Sequence, residues 1–180
     1  MFTPFRCICT HLVRQAKCVR SVYVHVAMAH FFRAARTIAQ ECSCTRTRQA
    51  SRVLTRIYDE HLKPTGLQDS QLSVLVGVAM FGEAGASIGQ LAQALVLDRT
   101  TLTRNVGPLS KSGYLKITRS RSDGRSRVIT LTRSGERLIE LAFPLWQQAQ
   151  ASIAQALGPG SLQSLRTALS PVIKLAEEDE

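Results

Sequence analysis

The feature that most constrains this chain is a change of hydrophobic period near residue 113. Before it, apolar residues recur at helical spacing; beyond it they alternate. Ser87 and Gln90 have the spacing of a capping box. Ile88, Leu91 and Leu95 give the short helix that follows an inner face. After Val96-Leu97, Asp98 is a good N-cap for a second helix. Past Gly113, Leu115 and Ile117 alternate with Lys116 and Thr118, and Ile129 and Leu131 with Val128 and Thr130. These runs flank Asp123-Gly124, so they predict a β-hairpin. The helix pair alone fits any small helical hairpin as well as a helix-turn-helix.

Charge decides between those two. Residues 98–137 hold ten Lys and Arg against Asp98, Asp123 and Glu136, a net +7. The whole chain of 180 residues carries +10, and residues 1–40 carry +6 with no acid. The remainder is therefore net acidic, and the positive charge is segregated. At about 100° per residue, Leu102, Val106 and Leu109 share one side of the second helix. Thr100, Thr103, Arg104, Gly107 and Lys111 share the other. Short hydroxyls and a guanidinium without bulky apolar neighbours suit a DNA major groove. Pro108 should bend the second half of that helix and spare its first turns. The hairpin loop carries Arg119, Arg121, Arg125 and Arg127. Four close like charges repel each other, but suit a narrow and strongly negative minor groove. The combination predicts a winged helix-turn-helix.

Helical faces flank this region. Ala50, Val53, Leu54, Ile57 and His61 form one, ended by Pro64 and Gly66; Leu72, Leu75, Val76 and Ala79 form another, ended by Gly82 and Gly85. Thr132 caps a long helix with Leu138, Leu141, Leu145, Ala149, Ile153 and Leu157 on one stripe, broken at Gly158-Pro159-Gly160. A last helix carries Leu162, Leu165, Leu169, Val172 and Ile173. So much apolar surface beside a small winged helix suggests a dimerisation layer, with packing inside one chain as the alternative. The fold expected is mainly α with a small β-hairpin. It comprises a basic extension at 1–40, an N-terminal dimerisation helix at 41–67, a winged helix-turn-helix at 68–135 and C-terminal dimerisation helices at 136–180. The extension reads equally as a transit-like segment, an extra helix around Val19–Val26, or sequence upstream of a start at Met28.

Several classes are disfavoured. No apolar stretch is long enough to span a membrane. The five cysteines all precede residue 45 and are odd in number, which fits a reducing compartment, with the chain expected in the cytoplasm. Their two C-x-C pairs lack the usual zinc spacing, so no metal or cofactor is expected. His11, His25 and His30 lie in the extension, His61 suits a helix end, and no phosphate-binding loop is present, so no enzyme is expected.

These residues resemble the MarR family of bacterial transcriptional regulators from about Cys42 to Ala176. The resemblance is carried by Leu91-Ala92 with Arg99-Thr100-Thr101-Leu102-Thr103-Arg104, by Leu109 to Gly113-Tyr114-Leu115, and by the wing Asp123-Gly124-Arg125-Ser126-Arg127. Leu131-Thr132-Arg133-Ser134-Gly135, Arg52 to Tyr58-Asp59 and Leu62-Lys63-Pro64-Thr65-Gly66-Leu67 extend it. The resemblance implies a homodimer on a pseudo-palindromic double-stranded operator. It places Thr100, Thr101, Thr103 and Arg104 in the major groove and Arg125 in the minor groove, with Asp123 bracing Arg125. It also implies a small aromatic or phenolic effector held between the dimerisation and DNA-binding parts. Lys111, Arg121 and Arg127 complete the expected DNA contacts.

One branch of the family senses organic hydroperoxides with a cysteine at the start of its first helix. Cys44 is similar to that cysteine, and Tyr58, 14 positions on, to its thiolate-bonding tyrosine. Arg48 stands where that branch has a second tyrosine. Helix-terminal N–H groups together with Arg46 and Arg48 would lower the Cys44 pKa. The reading is thus a ligand-responsive DNA-binding regulator, a repressor. The alternatives are a thiol-based peroxide sensor on the same fold and a winged-helix protein-interaction module.

Overall fold

The computed structural model describes residues 30–119 and 127–177. By its contacts the chain divides into two units, residues 1–50 and 51–180. In the first, described residues 30–41 are helical (α1), and only Cys42 interrupts the chain before α2, Ser43–Leu62. The Cys42 N–H bonds Ile38 O and the Arg46 N–H bonds Cys42 O, both at 3.1 Å. Phe31, Phe32 and Ile38 are exposed, with the two rings edge to face at 5.4 Å.

The second unit is built from the rest of α2, α3 (Asp69–Met80), β1 (Ala86–Ser87), α4 (Ile88–Ala94), α5 (Arg99–Lys111), β2 (Leu115–Arg119), β3 (Arg127–Leu131), α6 (Arg133–Leu157) and α7 (Ser161–Lys174). The local signals act as the sequence predicts. Ser87 accepts from the Gln90 N–H and its own N–H bonds the Gln90 side chain, completing the capping box. Asp98 caps α5, Thr132 caps α6 and Gly158 ends it. His61 is a helix-end residue: its Nδ1 donates to Ile57 O at 2.8 Å.

The sheet has an element that periodicity does not reveal. The two-residue β1 pairs with β3, so the hairpin becomes a three-stranded antiparallel sheet ordered β1-β3-β2. Gly85 makes the join, with φ +67° and no room for a side chain against the β3 backbone. Two residues give too little alternation to read.

The core gathers Leu62, Leu67, Leu72, Leu75 and Val78 with Leu91, Leu102, Val106, Leu109, Leu115, Ile129, Leu138 and Ala142. It therefore lies where α3, α4 and α5 meet the base of the sheet and the start of α6. On the edge strand β2 Leu115 is buried, whereas Ile117, expected on the same inner face, is exposed although its partner Ile129 on the central strand is fully buried. Pro108 does not end α5, which runs to Lys111 with the Ser112 N–H bonding Pro108 O at 2.9 Å. On α6 the buried stripe is Gly135, Leu138, Ala142, Ala149 and Ile153. Leu141 and Leu157, expected on that stripe, are exposed. A strict line of four-residue steps drifts around a helix of about 3.6 residues per turn, so Leu141 and Leu157 leave the core. No residue of α7 is buried.

Candidate nucleic-acid interface

Helix α5 sorts its residues by face as the sequence predicts. Leu102, Val106 and Leu109 are buried, while Thr100, Thr103, Arg104 and Lys111 are exposed. The Asp98 carboxylate accepts from the Thr101 N–H at 2.8 Å and from Thr101 Oγ1 at 2.6 Å. Those two bonds hold its pKa below the ordinary carboxylate range. The acid at the head of α5 is thereby committed to helix N–H groups, which limits its repulsion of an approaching phosphate.

The threonines are less free than the sequence suggests. Thr101 is half-buried with its hydroxyl proton on Asp98, and Thr103 Oγ1 donates to Arg99 O at 2.7 Å. Each hydroxyl keeps acceptor capacity and each side chain a methyl group, so both can accept from a base amine or touch a thymine methyl. Arg104 is the exposed side chain with two-bond reach.

At the wing, the β2–β3 register sets Arg119 directly opposite Arg127, both exposed. Like charges across a strand pair destabilise it, so this pairing has no structural benefit. Among the described residues the ion pair is Lys63–Glu60, remote in sequence from α5 and the wing. Arg104, Lys111, Lys116, Arg119 and Arg127 thus have no carboxylate partner there. Arg121, Asp123 and Arg125, with the expected Arg125–Asp123 brace, lie outside the described residues.

Thr132 ties the wing to α6. Its hydroxyl donates to Gly113 O at 2.7 Å and accepts from the Gly135 N–H at 3.1 Å. Gly135 fits because a Cβ there would run into Tyr114 O.

Cys44 is exposed in the first turn of α2. The chain enters α2 from another helix, and Cys42 holds the N-cap position. The Thr45 hydroxyl and N–H hold the Cys42 thiol below the ordinary cysteine value. Tyr58 is half-buried against the core, and its pKa is pushed up first by burial and then by Asp69, against a smaller pull from Arg166.

A cavity of about 310 Å³ lies between α3 and α6. Leu72, Val76, Ile139, Phe143 and Trp146 supply its apolar wall, and Asp69 and Ser73 its polar groups. Phe143 and Trp146 stack with centroids 6.0 Å apart. No sequence motif marks this site, because its two walls lie about 70 positions apart and its residues read separately as helix faces.

Comparison with known proteins agrees with this architecture. The MarR family model matches residues 65–126. The chain is 32% identical over 114 residues to the HTH-type transcriptional regulator YhbI of Bacillus subtilis, covering 62% of this chain and 74% of that protein. It is 31% identical to the transcriptional regulator MosR of M. tuberculosis in its crystal structure with DNA, with TM-score 0.66 over 77% of this chain and 98% of that one.

The chain belongs to the MarR family.

It is a DNA-binding transcriptional regulator with a winged helix-turn-helix, and its relatives are regulators rather than enzymes. A further family relative is BadR of Rhodopseudomonas palustris, a transcriptional activatory protein. It is 28% identical over 131 residues, covering 72% of this chain and 73% of that protein. Among the described residues, no helix is long and apolar enough to cross a membrane.

Proposed function

We propose that this MarR-family regulator works in the cytoplasm as a homodimeric repressor of a pseudo-palindromic operator and responds to a small aromatic ligand. The observation that carries the DNA reading is the exposed Thr100–Thr103–Arg104–Lys111 face of α5, together with the facing Arg119 and Arg127, which have no carboxylate partner among the described residues. Arg104 reads a base edge; Lys111 and Arg127 bind phosphates and fix the register. Thr100, Thr101 and Thr103 line the same groove. Arg121 and Arg125 serve the minor groove, with Asp123 as brace.

Helix α7 supports the dimer. It has 14 residues and buries none of them, while Val172, Ile173 and Leu175 are exposed at its end. Exposed apolar residues so concentrated on one helix fit an isologous contact between copies. The α3–α6 cavity supports the ligand, because it is apolar, aromatic-walled and of the size that small molecules occupy.

The test is fluorescence anisotropy with DNA from upstream of the protein's own coding sequence, against a shuffled duplex, at two salt concentrations. Sedimentation run alongside gives the oligomeric state. The expected results are a dimer, a preference for the upstream duplex, and an affinity that falls steeply with salt as counterions are released. A monomer, or salt-independent binding, refutes the proposal.

A further inference from the structure

We infer that the α3–α6 cavity selects a positively charged aromatic ligand, of the aryl-alkyl amine class, with Asp69 receiving the cation and the Phe143–Trp146 ring pair receiving the aromatic body. This rests on the cavity being the ligand site, as proposed above, and adds the charge of its occupant.

The polar groups of the lining carry the argument. They are one carboxylate and one hydroxyl, Asp69 and Ser73, and among the described residues the lining contains no Lys, Arg or His. The Asp69 N–H donates to Asp59 Oδ1 at 2.7 Å, which brings a second carboxylate to the same end of the cavity. The Asp69 carboxylate itself has no hydrogen bond or ion pair within the described residues. Burial first and Asp59 second push its pKa up, as expected for an acid short of positive charge.

An anionic ligand would bring a third negative charge into this end. The start of α3 offsets that only in part, because the Asp69 N–H is engaged by Asp59 and the Gln71 N–H by Gln68 O at 3.0 Å. An ammonium group does the opposite. It gives Asp69 a charge-assisted hydrogen bond, and the Ser73 hydroxyl can accept a second of its protons. The ring faces of Phe143 and Trp146 add attraction for a cation and a flat apolar surface for an aromatic body.

The experiment uses the full chain and its own tryptophan. Trp146 is the only tryptophan present, so its fluorescence reports on this cavity alone. The probes are 4-phenylbutylamine, 4-phenylbutanol and 4-phenylbutyrate, which share one body and differ in charge. The expected order of affinity is amine, then alcohol, then carboxylate, with the amine ahead of the alcohol by roughly tenfold, as a charge-assisted bond supplies. Asp69→Asn should abolish the difference between amine and alcohol while leaving alcohol binding near parental. Asp59→Asn keeps an acceptor for the Asp69 N–H and should reduce the preference only in part, which provides a second reading if Asp69→Asn folds poorly. Binding of the alcohol or carboxylate without an amine preference, or a preference that survives Asp69→Asn, overturns the charge assignment and leaves the cavity a ligand site. Failure of all three probes to move Trp146 emission overturns the ligand site itself, and the charge assignment with it.

Discussion

Val96 sits at the turn of the helix-turn-helix with φ +51°, the only non-glycine residue with positive φ among those described. The hydrogen bonds explain why the backbone must go there. Leu97 N–H donates to Ala92 O at 2.8 Å and Val96 N–H to Gln93 O at 3.0 Å, the double bond pattern of a Schellman motif. That motif turns the chain from α4 into Asp98 and α5, so it sets the angle at which the recognition helix leaves the core. It requires a left-handed residue at position 96, and a β-branched side chain is poorly suited to that region. Left-handed backbone costs an L-residue roughly 1–2 kcal/mol. Glycine escapes that cost but loses about 0.4–1 kcal/mol more unfolded-chain entropy than alanine. Comparing Val96→Gly with Val96→Ala removes the packing of the isopropyl group from both sides. The glycine variant should then be the more stable by about 0.5–1 kcal/mol, or ~2–4 °C in Tm for a unit of this size. At Ala94, the last residue of α4, the backbone is right-handed, the sign reverses, and Ala94→Gly should lose up to about 1 kcal/mol. Thermal melts at one fixed protein concentration measure all three, since dimerisation would make Tm depend on concentration. A Val96→Ala protein as stable as Val96→Gly, or more so, would refute the strain at this turn.

Gly85→Ala would place a Cβ 2.5 Å from Ile129 O and 2.6 Å from Thr130 Cγ2 at φ +67°, so urea denaturation should show a loss of about 2–4 kcal/mol. Gly82→Ala, with positive φ but open space, should lose only about 1 kcal/mol. Arg104→Ala should cost roughly 1–3 kcal/mol on the preferred duplex and relax base preference, whereas Arg127→Ala should weaken all duplexes alike and reduce the salt slope by about one ion; equal behaviour of the two in anisotropy titrations would refute their division of roles. The folded pKa of Asp98 is depressed, so its stabilising effect is present above the ordinary carboxylate pKa and lost as pH falls through the folded value. The Tm gap between the parent and Asp98→Ala should therefore close on acidification. Ser70→Ala should leave ligand and DNA affinities near parental but shrink the factor by which ligand alters DNA binding; an unchanged factor would show that Ser70 plays no part.

The parts of the fold that were legible in the sequence are those with local causes. Ser87, Asp98 and Thr132 cap helices through their own side chains, and Leu102, Val106 and Leu109 need only helical spacing to share a face. What the sequence missed depends on distant partners. Strand β1 is two residues recruited by β3, and Ile117 lies beyond the edge of the core although its alternation is regular. Leu141 and Leu157 lie on a line of four-residue steps, which the helical pitch carries off the buried stripe. That Cys42 directly precedes α2 is unmarked in the sequence, because another helix runs into it. The candidate DNA face was legible because it follows from one helix and one hairpin. The cavity was not, because Asp69 and Trp146 meet only when α3 packs on α6.

That packing gives α3 its place in the mechanism. It contacts α5 on one side and α6 on the other. Asp69, at the cavity, is followed at once by Ser70, whose hydroxyl donates to Asn105 Oδ1 on α5 at 3.1 Å. Asn105 Nδ2 in turn donates to Thr101 O at 3.1 Å, in the first turn of the recognition helix. A ligand that shifted the start of α3 would therefore pull on the first turn of α5, the helix proposed to read the DNA. Contacts alone do not make such a ligand an effector, because one that binds equally to the DNA-competent and released forms changes neither population. A tenfold change in DNA affinity needs about 1.4 kcal/mol of differential ligand binding, and by linkage DNA must weaken the ligand by the same factor. One charge-assisted hydrogen bond, made in one position of α3 and lost in the other, is of that order. Asp69 is placed to make it: it is the first residue of α3, so the carboxylate that would hold a cation moves with the helix that carries Ser70.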